Sequence, residues 1–498
     1  MFRALGVRNY RLYFTGQVLS NAGTWMQRVA QDWLVLDLSG SSAVALGITT
    51  GLQFLPFLLF SLWGGTLADR FDRRRLLVWT QAASGLLALG LGIMTIRGGA
   101  TVGSVYVFAF LLGCAAAVDN PARQAFVHEI VGRDSMSNAI ALNSASFNLA
   151  RLVGPALAGI LVAVVGSGWV FIINALTFVV TIAALLLMRV DELHPQVREE
   201  GRVRLRAGLS YVRTRRDLML VLALAFGVAT FGLNYQMTMA LMARNQFGLG
   251  AEAFGLMSTF LALGALAGSL LAARRRTVPL RLVTVAALVF GAVEIAVGFA
   301  PSYVAMLVLL PFAGILAMTF TTSAQSFLQL NSAGWVRGRV MGIYTLLFFG
   351  GTPLGAPVIG WAAERFGPRS GLIGGGILTA FFSAFAGIGA RRIDQRYDRQ
   401  AEPVGNIHKA DCLAVTLRSC HAKVPLDPAL GVIALFMADH DDRLIVEARD
   451  TAHDRMIISE IPVACQGCEL CEERVHIIYT VRPIRMPGDL TFTPGIEV

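Results

Sequence analysis

Long apolar blocks dominate the first four fifths of the chain. Windows of about 20 residues, the length a helix needs to cross the hydrocarbon of a bilayer, occupy 44–68, 76–96, 102–118, 147–165 and 169–188. A second series follows at 218–242, 254–273, 282–300, 303–320, 341–361 and 371–388. A further segment around Trp25 has helical length but more polar interruptions, as does the window at 218–242. The pattern predicts an all-α membrane protein with twelve transmembrane helices.

The chain also repeats itself at an offset of about 201 residues. Gln124–Phe126 answers Gln325–Phe327, Gly154 and Gly159 answer Gly355 and Gly360, Gly166 answers Gly367, and Arg73–Arg75 answer Arg274–Arg276. Two pseudo-symmetric six-helix halves follow, 1–188 and 217–392, with a polar connector at 189–216. Such repeats place a substrate site near the midplane between them. A polar tail at 393–498 differs in kind, because it holds five of the six cysteines. Cys465, Cys468 and Cys471 form two overlapping C-x-x-C steps, a spacing that suits zinc or an iron–sulfur cluster, with His476 and His453 the nearest candidates for a fourth ligand. Short strand-like runs occur at 431–436, 443–448 and 475–481.

Charged residues make up 15% of the chain, against ~25% in soluble domains. The net charge of +10 does not mark a nucleic-acid binder, because its arginines follow membrane topology. With both termini cytoplasmic, the outer loops hold only Arg97, Arg244, Arg365 and Arg369. That asymmetry is the positive-inside pattern. Of the basic residues only Lys409 and Lys423 are lysines, a bias of GC-rich coding that points to a bacterium. The expected location is the bacterial cytoplasmic membrane. No cleavable signal peptide is visible at the start.

The first helix poses the chemical question. In "SNAGTWMQRVAQDW" (Ser20–Trp33), Arg28 and Asp32 stand four residues apart, and with Gln17, Asn21 and Thr24 they form one polar stripe on a helix. A charge at the bilayer centre costs at least ~2.5–3.5 kcal/mol on insertion scales, so the stripe must face protein or a water-filled cavity. It reads either as a structural ion pair or as a cavity wall whose carboxylate exchanges a proton when the pair separates. A second stripe on the fifth helix carries Ser144, Asn148 and Arg151, and Asp119 is a candidate partner for Arg151. Asn234, Thr230 and Thr238 add polar positions on the seventh helix, and Glu294 is buried in the ninth. Single polar residues of this kind also serve as helix–helix glue.

"GTLADRFDRRR" (Gly65–Arg75) resembles the loop signature of the major facilitator superfamily, with Gly65, Asp69, Arg70, Arg73 and Arg74 on the pattern and Asp72 in place of its second glycine. The resemblance implies a gate latch in which Asp69 bridges to the start of the eleventh helix, near 338–341. "RLVGPALAG" is similar to the Gly-Pro motif of the superfamily's exporters through Gly154, Pro155 and Gly159. Pro155 favours a kink, and the glycines permit close approach to a helix of the other half. No arginine falls within 102–118, where the superfamily's exporters carry one in the fourth helix. Together with "DNPARQAFV", these motifs resemble the branch of enterobactin-type siderophore exporters and macrolide or multidrug efflux proteins.

The resemblance implies efflux of a small amphipathic molecule by proton antiport through alternating access, with protons and the bilayer as partners and a monomer sufficient. A metabolite importer of the same fold is one competitor. A membrane sensor with a metal- or redox-responsive tail is another. No enzyme is expected, because the membrane core shows no nucleophile elbow or intramembrane His pair. No nucleotide-binding signature appears, and no cofactor is expected beyond a possible tail metal.

Overall fold

The structure is a computed structural model that describes residues 3–132, 135–194, 205–273, 275, 278–334 and 336–400, together with three short strands further on. Contacts divide the chain into two units, Met1–Gln400 and Ala401–Val498. The second unit's described part is an antiparallel sheet of β1 (Lys423–Pro425), β2 (Val432–Ala438) and β3 (Leu444–Asp450), in the order β1-β2-β3. Two of the three expected strand-like runs coincide with β2 and β3. The run at 475–481 and Cys465, Cys468 and Cys471 lie outside the described residues.

The first unit is helical. Its first half comprises α1 (Arg8–Leu38), α2 (Ala43–Arg70), α3 (Arg73–Ile96), α4 (Val102–Val131), α5 (Met136–Val165) and α6 (Ser167–Leu186). A short connector helix α7 (Leu205–Thr214) leads to α8 (Arg216–Phe231) and α9 (Tyr235–Leu241). These two, with a π-helical turn at Met242–Gln246, form one interrupted span. The remaining spans are α10 (Ala251–Ala273), α11 (Leu280–Gly298), α12 (Tyr303–Asn331), α13 (Arg337–Phe366) and α14 (Arg369–Gln400). Eleven spans among the described residues are long and apolar enough to cross a bilayer. The twelfth is α1, whose 31 residues suffice in length and whose buried Gln17, Gln27, Gln31 and Asp32 lower its hydropathy.

Several helices run well past their apolar windows. The window at 102–118 belongs to a helix that continues to Val131, and that at 147–165 to one that begins at Met136. Local signals set other ends. Ser42, Asp72, Thr101 and Ser302 cap α2, α3, α4 and α12 by accepting a backbone N–H three residues on, each cap worth about 1 kcal/mol. Gly166 and Gly367, equivalent under the repeat, carry φ of 84° and 91° at the α5–α6 and α13–α14 turns, a conformation that penalises any side chain.

The repeat is structural. In the first half α2 packs on α4, α3 on α6 and α1 on α5; in the second α10 packs on α12, α11 on α14 and α8 on α13. The halves meet through α2 with α13 and α5 with α10. We call the side holding residue 3, the α2–α3 turn and the connector the terminal face. The turns at 39–42, 97–101 and 247–250 mark the opposite face.

Candidate functional site

The polar side of α1 faces space. A cavity of about 510 Å³ is lined from α1 by Gln17, Asn21, Thr24, Gln27, Arg28 and Gln31, and from α4 by Asp119 and Arg123. Gln53, Gln81, Asn148 and Asn174 complete its polar wall from the other helices of the first half. Tyr13, Val127 and Asn143 line its end nearer the terminal face. A second cavity of about 150 Å³ adjoins it at Arg28 and Gln53 and lies between the halves. Trp25, Asp32, Thr50 and Arg151 line it from one half, and Asn234, Tyr235, Gln236 and Ser258 from the other. The predicted stripe is therefore divided, with Asp32 on the smaller cavity and Arg28 on both.

Neither Arg28 nor Arg151 forms an ion pair or hydrogen bond among the described residues. Both guanidinium groups lie against the Trp25 ring, 5.0 and 5.8 Å from its centroid, and Arg28 is 5.5 Å from that of Phe54. Cation–π contacts of this kind contribute about 0.5–1 kcal/mol when exposed and about 2 when desolvated. Asp32 is buried, and its Oδ1 has no hydrogen-bond partner. The i, i+4 spacing brings Arg28 and Asp32 to one cavity without closing the expected contact, because the guanidinium turns onto the aromatic rings.

Asp119 is not the partner of Arg151. It accepts hydrogen bonds from Arg123 Nε and Nη2 at 2.9 and 2.5 Å, from Thr80 Oγ1 at 2.7 Å and from Gln81 Nε2 at 2.7 Å. Its acceptor capacity is taken up within its own helix and by α3. No arginine falls within 102–118, but α4 continues past that window and carries Arg123. The i, i+4 Asp–Arg spacing was the signal for it.

Several predicted polar residues are already bonded, one of them across helices and the others within their own span. Asn21 donates to Ser146 Oγ at 3.2 Å, Thr24 to the Ser20 carbonyl, Asn148 to the Ser144 carbonyl and Asn234 to the Thr230 carbonyl. Gln17 is buried on the cavity wall. The amides of Gln27, Gln31, Gln53, Gln81, Asn174 and Gln236 escaped the sequence reading. Asn174 donates to Gln27, while Gln31, Gln53 and Gln236 each keep an Nε2 without a partner. Gln53, Gln81, Asn174 and Gln236 are isolated amides in apolar runs and carry no periodic signal, whereas the spacing of Gln27 and Gln31 continues the α1 stripe and was the signal for them.

At the terminal face the signature loop holds helix ends. Arg73 pairs with Glu129 at 2.7 Å, and Arg74 donates to the Leu185 and Leu186 carbonyls at 2.7 and 2.9 Å. Those carbonyls belong to the C-terminal turn of α6, where a cation is favoured. Arg70 is exposed, and Asp72 caps α3. Asp69 lies in the last turn of α2, and its side chain is outside the described residues. A Cβ on Gly65 would meet nothing within 4 Å, whereas Gly64 packs closely on Ala117 and Val118 of α4.

The opposite face is joined across the halves. Glu364 of α13 accepts from the Ala43 and Val44 N–H groups at 2.5 and 3.3 Å and from Ser42 Oγ at 3.3 Å. Arg244 pairs with Asp37 and donates to Ser41 Oγ at 2.8 Å. In the Gly-Pro motif, Gly159 faces the α10 backbone at Ala251–Gly255, and the Pro155 carbonyl faces Gly255. Gly154 packs instead on Trp25 and Ala22 of α1, in the same half.

The family model described as "Transmembrane secretion effector" matches residues 2–417. The chain is 25% identical over 362 residues to the staphyloferrin A transporter of Staphylococcus aureus, covering 72% of this chain and 90% of that protein. It is 29% identical over 376 residues to the multidrug efflux pump Tap of Mycobacterium tuberculosis, covering 70% and 86%. With the enterobactin exporter EntS of Escherichia coli the identity is 24% over 326 residues, covering 64% and 76%. Among solved structures, a bacterial homologue of the human lysosomal transporter Spinster superposes with a TM-score of 0.61 at 16% identity, covering 77% of this chain and 97% of that one. The nucleoside transporter NupG gives 0.60 at 11%, covering 77% and 98%.

Proposed function

Since the chain belongs to the transmembrane secretion effector family of the major facilitator superfamily, a transporter and not an enzyme, we propose that it exports a small amphipathic molecule across the bacterial cytoplasmic membrane in exchange for protons. The observation that carries this reading is Asp32, buried with a free Oδ1 beside Arg28 in a cavity lined by both halves. A carboxylate there senses the relative position of the halves, which is what coupling by alternating access requires.

The arginine distribution supports a cytoplasmic terminal face. On that orientation the larger cavity lies toward the side from which an exporter takes its cargo. Its wall combines the Phe57, Phe147 and Phe178 rings with unpartnered donors on Gln31 and Gln53. Such a wall suits an apolar molecule bearing hydrogen-bond acceptors, a description that siderophores and many drugs share. Arg28 and Arg151 anchor acceptor groups of the cargo, and the Asp69 loop acts as a latch on the cytoplasmic side.

Inverted membrane vesicles with an acidified interior test the reading, with ethidium as the transported probe. Wild type accumulates the dye until an uncoupler is added, and Asp32→Asn, present in the membrane at the same level, falls to the level of vesicles lacking the protein. Equal accumulation by both would return Arg28 and Asp32 to a structural role. Absence of accumulation by wild type would remove ethidium-type drugs from the cargo.

A further inference from the structure

The second half holds an acid that the reading above does not use. Glu294 sits in α11 one turn before its C-terminal end at Gly298, with 2% exposure, and its Oε2 has no hydrogen-bond partner. No arginine or lysine pairs with it among the described residues. Apart from Glu294 itself, the charged side chains of α8 and α11, and the described one of α14, are Arg216, Asp217, Arg281 and Arg369, all at helix ends, and α12 has none. Among the described residues, Tyr235 is the titratable side chain of the packed helices within electrostatic reach of Glu294.

The surroundings are equally unsatisfied. Tyr235 Oη, Thr379 Oγ1 and Asn234 Oδ1 are buried without partners, the residues being 4%, 0% and 4% exposed. Asn234 and Tyr235 stand at the break in the seventh span, between α8 and α9 at Gly232–Asn234, and Thr379 faces the same break from α14. A Cβ on Gly232 would stand 2.7 Å from Thr379 Oγ1 and 3.1 Å from Glu294 Oε2. One on Gly375 would stand 2.5 Å from the Phe231 carbonyl and 3.0 Å from Glu294 Oε1. Glycine at both positions leaves the carboxyl group facing a helix end whose carbonyls lack intrahelical donors. The Tyr235 ring packs on Phe290, one turn from Glu294, with centroids 6.0 Å apart. Asn234 and Tyr235 in turn line the smaller cavity.

An acid surrounded by acceptors and hydroxyl groups, with no basic partner, lacks one thing, a proton to share among them. A bare charge buried without a partner is strongly disfavoured, whereas the protonated carboxyl donates a hydrogen bond to the break. We propose that Glu294 is a second proton-binding site, built at the break between α8 and α9 and reached from the central cavity past Asn234 and Tyr235. The proton leaves Glu294 when movement of the broken span admits water. Binding and release are a single proton transfer between water and the carboxylate, so the step balances without another reactant.

Infrared difference spectroscopy on the full chain in lipid reads this directly and does not depend on cargo. In wild type, raising the pH removes a protonated-carboxyl band, and Glu294→Gln lacks that band. Tyr235→Phe retains the band at a shifted frequency, and Glu294→Asp restores a titrating one, which guards against a folding defect. Identical titrations in wild type and Glu294→Gln would overturn the site. A band lost in Glu294→Gln that never responds to pH in wild type would reduce Glu294 to a fixed structural acid and also overturn it. Displacement of the band by sodium at constant pH would make the occupant a metal cation and overturn the proton assignment. Each result stands whether or not the vesicles accumulate ethidium, so this site and the export reading fail separately.

Discussion

Replacing either member of the Asp119–Arg123 pair leaves the other charged and partly buried, with side chains 9% and 21% exposed. Breaking such a pair costs about 3–5 kcal/mol, most of it the penalty of the stranded charge, while removing both together costs much less. Asp119→Asn and Arg123→Met should each lower the thermal transition of the detergent-solubilised protein by more than the double variant does. Additive losses would show that the two side chains act independently. Asp32 contrasts with this pair at the same scale. Asp119 has four hydrogen bonds to hold it, whereas Asp32 Oδ1 has none, and an unheld carboxylate is the one free to change its proton.

Among the elements, α2 is held across the halves at its N-terminus. Glu364 there supplies an acceptor to the unpaired N–H groups of another half's helix and complements its dipole, an effect of about 0.3–1 kcal/mol at an exposed site. Glu364→Ala should therefore shift the population toward separation of the opposite face by about two- to fivefold. Spin labels at 44 and 361 would report it as growth of a longer distance. An unchanged distribution would make the contact incidental to the equilibrium. The broken seventh span is the other element that matters. A single apolar window covered it in the sequence, yet Gly232–Asn234 interrupt it and bring Asn234, Tyr235 and Gln236 to the cavity.

At the level of the whole molecule, the helices of the transporter end at Gln400 in a unit separate from Ala401–Val498. Truncation after Gln400 should leave ethidium accumulation and membrane insertion unchanged. Loss of accumulation with normal insertion would favour a sensor in which the tail governs transport.

Hydrophobic block length and the offset of about 201 residues determined twelve spans and two halves, because a bilayer imposes a fixed length and duplicated helices keep their small residues. The polar stripe of α1 was legible for the same reason, since 3.6-residue periodicity puts its members on one face. Which partner each charge takes was decided by tertiary structure alone. Arg28 could reach Asp32 by spacing and lies instead on Trp25 and Phe54. Asp119 could have served Arg151 and is bonded by Arg123, Thr80 and Gln81. Glu294 becomes part of a site only because α8, α9 and α14 bring a helix break and two glycines beside it. Spacing within one helix limits what a side chain can reach, but helices distant in sequence supply the competing partners, and their relative energies settle the contact.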